Sequence, residues 1–192
     1  LDQVLDLFKI KPDFDLDLMN AGQTLNEITS AVLKNLKTVL TKTKPDIVFV
    51  HGDTATTFAA SLAAYYEKID VVHIEAGLRT GNIYSPWPEE VNRNVAGVIA
   101  RLHFAPTKKS AQNLILENIP ENHIYVTGNT VIDALHMVLD RIHKDSEKEL
   151  CINNFFEKLL NIDINKSRFV LITGHRRENF GDGFLNICHA IK

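Results

Sequence analysis

The sequence predicts an α/β protein built on a mainly parallel sheet with helices on both faces, and three observations predict it. Helix-period segments alternate with short apolar runs, the pattern of repeated strand–helix–strand units. The apolar runs close on turns containing glycine, as at Gly52 and Gly128. Charged side chains concentrate just after those runs, where an open α/β sheet gathers its chemistry at the carboxyl ends of the strands. With 192 residues, 45% of them hydrophobic, the chain has material for one large domain or two small ones.

The elements follow in order. The first eight residues form an amphipathic run, and Leu25, Ile28, Val32, Leu33, Leu36 and Leu40 then recur at helical spacing until Pro45 stops the helix. Residues 46–50 are an apolar strand, Gly52-Asp53-Thr54 a turn, 56–67 an Ala-rich helix and 71–74 a second buried strand. After a loop over 76–87, Pro88 is expected at the first helical position, with Glu89 and Glu90 in a first turn whose dipole favours carboxylates. That helix reaches about residue 100; 102–105 is a strand, 108–118 a helix, and 123–126 a strand closing at Gly128. Helices are expected over 131–142 and 147–160, and a strand over 169–173 leading into Gly174-His175-Arg176-Arg177-Glu178-Asn179. A domain boundary fits either at 127–129, where a strand closes, or in the polar stretch 163–167.

Composition excludes several classes of function. Lys and Arg number 21 against 24 Asp and Glu, a formal charge of −3, with no long basic run, so nucleic acid is not an expected partner. Apolar runs such as 47–50 are too short to span a bilayer, and the first residues lack the pattern of a signal peptide; the expectation is a cytoplasmic protein with no membrane partner. Cys151 and Cys188 stand outside any Cys-x-x-Cys spacing, so neither a disulfide framework nor a metal site is expected, and both read as buried thiols.

The chemistry-bearing residues lie in four stretches. Asp53 follows a strand and precedes a helix, which suits a helix cap as well as catalysis. Glu75 stands directly after Val-Val-His-Ile, where a carboxylate is costly unless paired or functional, and Arg79 is a plausible partner. Glu89 is framed by Pro86-Trp87-Pro88, whereas Glu90 reads as a residue that complements the helix dipole. Arg93 follows Glu89 at i+4 spacing, fitting an ion pair with it or a substrate clamp. His175, Arg176 and Arg177 after a strand suit a phosphate or pyrophosphate. His51 and His73 end neighbouring strands but lack metal-ligand spacing.

The stretches HGDTATT, HIEAGLRTGNIYSPWPEEVNR, TGNTVIDAL and TGHRRENFG resemble the non-hydrolysing UDP-N-acetylglucosamine 2-epimerase family over nearly the whole chain. The resemblance implies a GT-B arrangement of two Rossmann-like lobes that interconverts UDP-GlcNAc and UDP-ManNAc without a cofactor, as a homodimer when intact. Residue by residue, it implies that Asp53, Glu75 and Glu89 are catalytic carboxylates and that His175 assists departing UDP. Arg79, Arg93 and Arg176 become the substrate-binding cations. It further implies that residues 1–128 are a first lobe lacking its opening strand and 129–192 the beginning of the second. Members activated by their own substrate carry a basic residue where this chain has Gly22. Neither end has a natural-looking cap or tail, so the expectation is a fragment, with Asp53, Glu75 and Glu89 clustered at strand ends and His175 facing them across a cleft.

Overall fold

The structure, a computed structural model, describes residues 2–163, 166–173 and 181–191. It divides into two compact units, Leu1–Thr127 and Gly128–Lys192.

The first unit opens with α1 (Asp2–Phe8) and α2 (Leu25–Thr43). Thr24 caps α2 in a reciprocal box: its hydroxyl accepts from the Glu27 amide at 3.3 Å, and the Glu27 carboxylate accepts from the Thr24 amide at 2.7 Å. Lys44, in the left-handed region at φ 45°, ends the helix and donates its N–H to the Leu40 carbonyl. There follow β1 (Ile47–His51), α3 (Ala55–Tyr66), β2 (Asp70–Ile74), α4 (Glu89–Ile99), β3 (Leu102–Ala105), α5 (Lys108–Leu116) and β4 (Ile124–Val126). The strands form a parallel sheet in the order β1-β2-β3-β4, so α3, α4 and α5 are successive crossovers.

Register explains which side chains meet. Val50 pairs with His73, His73 with His103 and His103 with Ile124, a row on one face of the sheet. That face is covered, and both histidines are fully buried. The alternate residues face the other way, where Phe49 and Tyr125 stay exposed and Phe104 meets Tyr125 edge-on at 5.8 Å. The larger core joins Leu40 of α2 to Ala63 and Ala64 of α3 and to Val50 and Val71 of the sheet. Small residues on α3 let the backbones approach, and each Leu or Val so buried contributes about 1.5–3 kcal/mol. A second core sets Ala76 and Ala105 against Ala111 and Leu114 of α5. Gly77 makes this contact possible: at φ 83°, a Cβ there would lie 2.2 Å from the Ser110 carbonyl oxygen.

The second unit contains α6 (Thr130–His143), α7 (Ser146–Leu160) and α8 (Asp182–Ile191). Asn129 and Asp145 cap the first two through their side chains. None of the three helices contains a buried residue among those described.

Three expectations are corrected. Residues 169–173 form no strand, and Phe169, Val170, Leu171 and Ile172 are exposed, because an apolar β-branched run becomes a strand only beside another to bond with. Pro88 is the N-cap of α4, one position before the helix proper. Cys151 and Cys188 are exposed free thiols, on helices of the second unit that contain no buried residue among those described.

Candidate active site

Asp53 sits in the turn between β1 and α3. The cap of α3 is Thr54, whose hydroxyl accepts from the Thr57 amide at 3.2 Å, which leaves the Asp53 carboxylate free for other work. Glu75 follows β2 at φ 63°, a conformation that costs a non-glycine residue about 1–2 kcal/mol and turns its side chain out of strand alternation. The next amide, Ala76, returns to the Phe104 carbonyl at 3.0 Å and holds the turn against β3.

Arg93 brings the two acids together. From the middle of α4, 6% exposed, it reaches the carboxyl ends of β1 and β2. One terminal nitrogen donates to Asp53 Oδ2, the other to the Glu75 carbonyl at 3.0 Å, and both lie 3.4 Å from Glu75 Oε1. Asn92, the preceding residue, donates Nδ2–H to the Asp53 carbonyl at 2.9 Å. One guanidinium thus serves two carboxylates, leaving a net negative charge at the strand ends. A planar donor fork on a buried stem fixes both acids in a way that a lysine's point charge cannot.

Glu89 is half-buried at the first position of α4, where the helix dipole favours its charge. It has no ion pair among the described residues; Arg93, at i+4, turns instead to Asp53 and Glu75. Glu90 is 4% exposed, more than a dipole-complementing surface residue would be. It accepts from the Thr80 amide at 3.1 and 3.2 Å and the Gly81 amide at 3.0 Å, anchoring the loop that carries Tyr84 and Trp87. Arg79 pairs with Glu117 in a two-pronged bridge of 2.6 and 2.8 Å, not with Glu75, and so joins the loop after β2 to the end of α5. His175 and Arg176 lie outside the described residues. No group of His, Cys, Asp and Glu that could hold a metal occurs among the described residues.

A sequence profile described as UDP-N-acetylglucosamine 2-epimerase matches residues 1–192. The chain belongs to that family. Among relatives of this epimerase family, a probable UDP-N-acetylglucosamine 2-epimerase from Ralstonia solanacearum is 56% identical over 191 residues, covering 100% of this chain and 50% of the relative. The Escherichia coli K12 UDP-N-acetylglucosamine 2-epimerase is 54% identical over 193 residues with the same coverage. A crystal structure of the Neisseria meningitidis UDP-GlcNAc 2-epimerase bound to UDP-GlcNAc superposes with a TM-score of 0.89 at 53% identity, over 99% of this chain and 50% of that one. The Methanocaldococcus jannaschii enzyme, in complex with UDP-GlcNAc and UDP, gives 0.84 at 35% identity, again over 99% and 50%. The fold is therefore the α/β fold of these GT-B epimerases, and the chain spans about half the length of the relatives it matches.

The contacts of Asn92, Glu90 and His73 are not legible in the sequence. Asn92 and Glu90 lie inside the PWPEEVNR stretch, but nothing in local spacing reveals that they reach a backbone carbonyl on one side and two amides on the other. His73 was visible only as a strand-end histidine.

Proposed function

We propose that this chain carries the acid–base centre of a non-hydrolysing UDP-N-acetylglucosamine 2-epimerase, acting on UDP-GlcNAc and UDP-ManNAc in the cytoplasm. The observation that carries the reading is the pair Asp53 and Glu75, set in the turns that follow β1 and β2 and held at one point by the buried Arg93.

In the proposed reaction a carboxylate takes the C2 proton. The C–H electron pair forms the C1–C2 double bond while the C1–O bond breaks and its electrons leave with UDP. The intermediate is 2-acetamidoglucal; UDP adds back at C1 as C2 is protonated on the opposite face. Proton delivery to two faces needs more than one acid–base group, which Asp53, Glu75 and Glu89 provide. Arg93 holds two of them and tempers their mutual repulsion, while His175 and Arg176 are assigned to the departing diphosphate. Residues 1–128 would be the first lobe without its opening strand and 129–192 the start of the second, in a protein that is a homodimer when intact.

The test is a chimera that joins this chain to the segments of the N. meningitidis enzyme it does not cover. Incubated with UDP-GlcNAc in D2O and followed by NMR, it should yield UDP-ManNAc with deuterium at C2. Free ManNAc with UDP would indicate a hydrolysing enzyme, and turnover only with an added sugar acceptor would indicate a glycosyltransferase; either overturns the proposal.

A further inference from the structure

We propose that His73 is a positioning residue of this site, whose ring N–H fixes the glycine turn that aims the Asp53 carboxylate. The inference rests on the epimerase reading for the role of Asp53, but the hydrogen bond at its centre stands independently.

His73 is fully buried, and its Nε2 lies 2.7 Å from the Gly52 carbonyl oxygen. A carbonyl only accepts, so Nε2 carries the hydrogen. Gly52 is the joint of the turn: it has φ 70°, and nothing stands within 4 Å of where a Cβ would be, so local packing does not hold it. A glycine so placed has the widest choice of backbone conformations, and bonds from outside the turn must select one. Three such bonds act on consecutive backbone groups. The Gly52 amide donates to the Ile74 carbonyl at 3.0 Å, the Gly52 carbonyl accepts from His73, and the Asp53 carbonyl accepts from Asn92 at 2.9 Å. The Asp53 side chain, which follows directly, then meets Arg93.

Histidine suits the position better than its apolar neighbours in the register row would. An aliphatic side chain would fill the space between Val50 and His103 but leave a buried carbonyl without a donor. Burial pushes the His73 pKa down to about 4, and the nearby Arg93, His103 and Arg79 also disfavour a second proton, while the bond to Gly52 works the other way. At neutral pH the ring is therefore a single donor of fixed orientation, with the Nδ1 lone pair unused.

Three measurements test this. In the 192-residue chain with ring-15N-labelled histidine, His73 should show a protonated Nε2 and an unprotonated Nδ1 from pH 7 to about pH 5; the opposite tautomer overturns the proposal. Amide exchange at Gly52 and Asp53 should speed up about tenfold or more in His73→Leu and stay near the parent rate in His73→Gln, whose amide nitrogen reaches the Nε2 position. Unchanged protection in His73→Leu overturns it even if the chimera proves inactive, an outcome that would count separately against the epimerase reading. In an active chimera, His73→Leu should lower kcat about 10–100-fold with KM little altered, and His73→Gln should recover most of it. Equal loss in both variants, or none in His73→Leu, would sink the positioning role.

Discussion

Arg93 decides much at the scale of single residues, because its two carboxylate partners come from turns that are 22 positions apart in the chain, at 53 and 75. The acids themselves were legible in the sequence, since each follows a recognisable strand. Their common partner was not, because it depends on how α4 crosses the sheet. The same limit hid the Arg79–Glu117 bridge, whose members are 38 residues apart, and made Glu75 look like the partner of Arg79. The division of labour gives a direct expectation in the chimera. Glu75→Gln and Glu89→Gln should each lower kcat/KM about 10²–10⁴-fold, the range for loss of a group acting in proton transfer. Their stabilities should differ: Glu89→Gln, with no partner to lose among the described residues, should stay within about 0.5 kcal/mol of the parent in urea. Glu75→Gln weakens a partly buried pair and should cost about 1–3 kcal/mol. Parental turnover in either variant would remove it from the acid–base set.

Element packing turns on Gly77, where the loop after β2 passes over α5. A methyl group there would meet the Ser110 backbone carbonyl, which cannot swing aside as a side chain could. Gly77→Ala is expected to cost about 3 kcal/mol or more, combining left-handed strain with overpacking. Gly81→Ala, at φ 76° with open space around it, supplies the control and should cost only the strain, about 1–2 kcal/mol. Urea denaturation of both separates the two effects; equal losses would mean that the close approach to α5 contributes nothing. The element pattern was legible through β4 because each strand alternated with a helical period. It failed at residues 169–173, where apolar β-branched composition alone does not make a strand.

The histidine pair in β2 and β3 adds a pH dependence at this same scale. His73 and His103 are both lowered to about 4, chiefly by burial; at His103 the Ala100 carbonyl and Glu117 act against the shift, while His123 and Arg79 add to it. The folded state thus binds fewer protons than the unfolded chain, whose histidines titrate near 6.5. The stability this neutral burial allows is complete above pH 6.5 and is lost as the pH falls toward 4. Within that window each histidine should contribute a slope of up to about 1.4 kcal/mol per pH unit. Urea midpoints at intervals between pH 7 and pH 4.5 should fall steadily, and His103→Gln should flatten the curve; a parent curve flat across this range would contradict the neutral burial of the pair.

On the scale of the whole molecule, the chain carries a well-packed sheet unit and a second unit whose helices bury nothing among the described residues. The lobe assignment could not be read from composition, because a boundary is a property of contacts, and the polar stretch 163–167 looked as good as the strand end at 127–129. The chain alone, half the length of its relatives, is expected to show no turnover of UDP-GlcNAc by NMR although Asp53, Glu75 and Glu89 are present, because the binding energy that holds a substrate while its proton leaves is drawn from more surface than these residues offer. β1, an edge strand of the sheet among the described residues, and the exposed Phe49 and Tyr125 should also make it associate, with size-exclusion profiles shifting to larger species as concentration rises. Turnover at the rate of an intact relative, or a strictly monomeric profile, would contradict this expectation.

The strand order β1-β2-β3-β4 has a consequence for synthesis, because it is also the order in which a ribosome releases the strands. When β2 emerges its partner is already free, with α3 between them; β3 and β4 then each find a finished edge waiting. None of the four described strands has to be held open for another of them not yet made, so these four can pair one after another as each emerges.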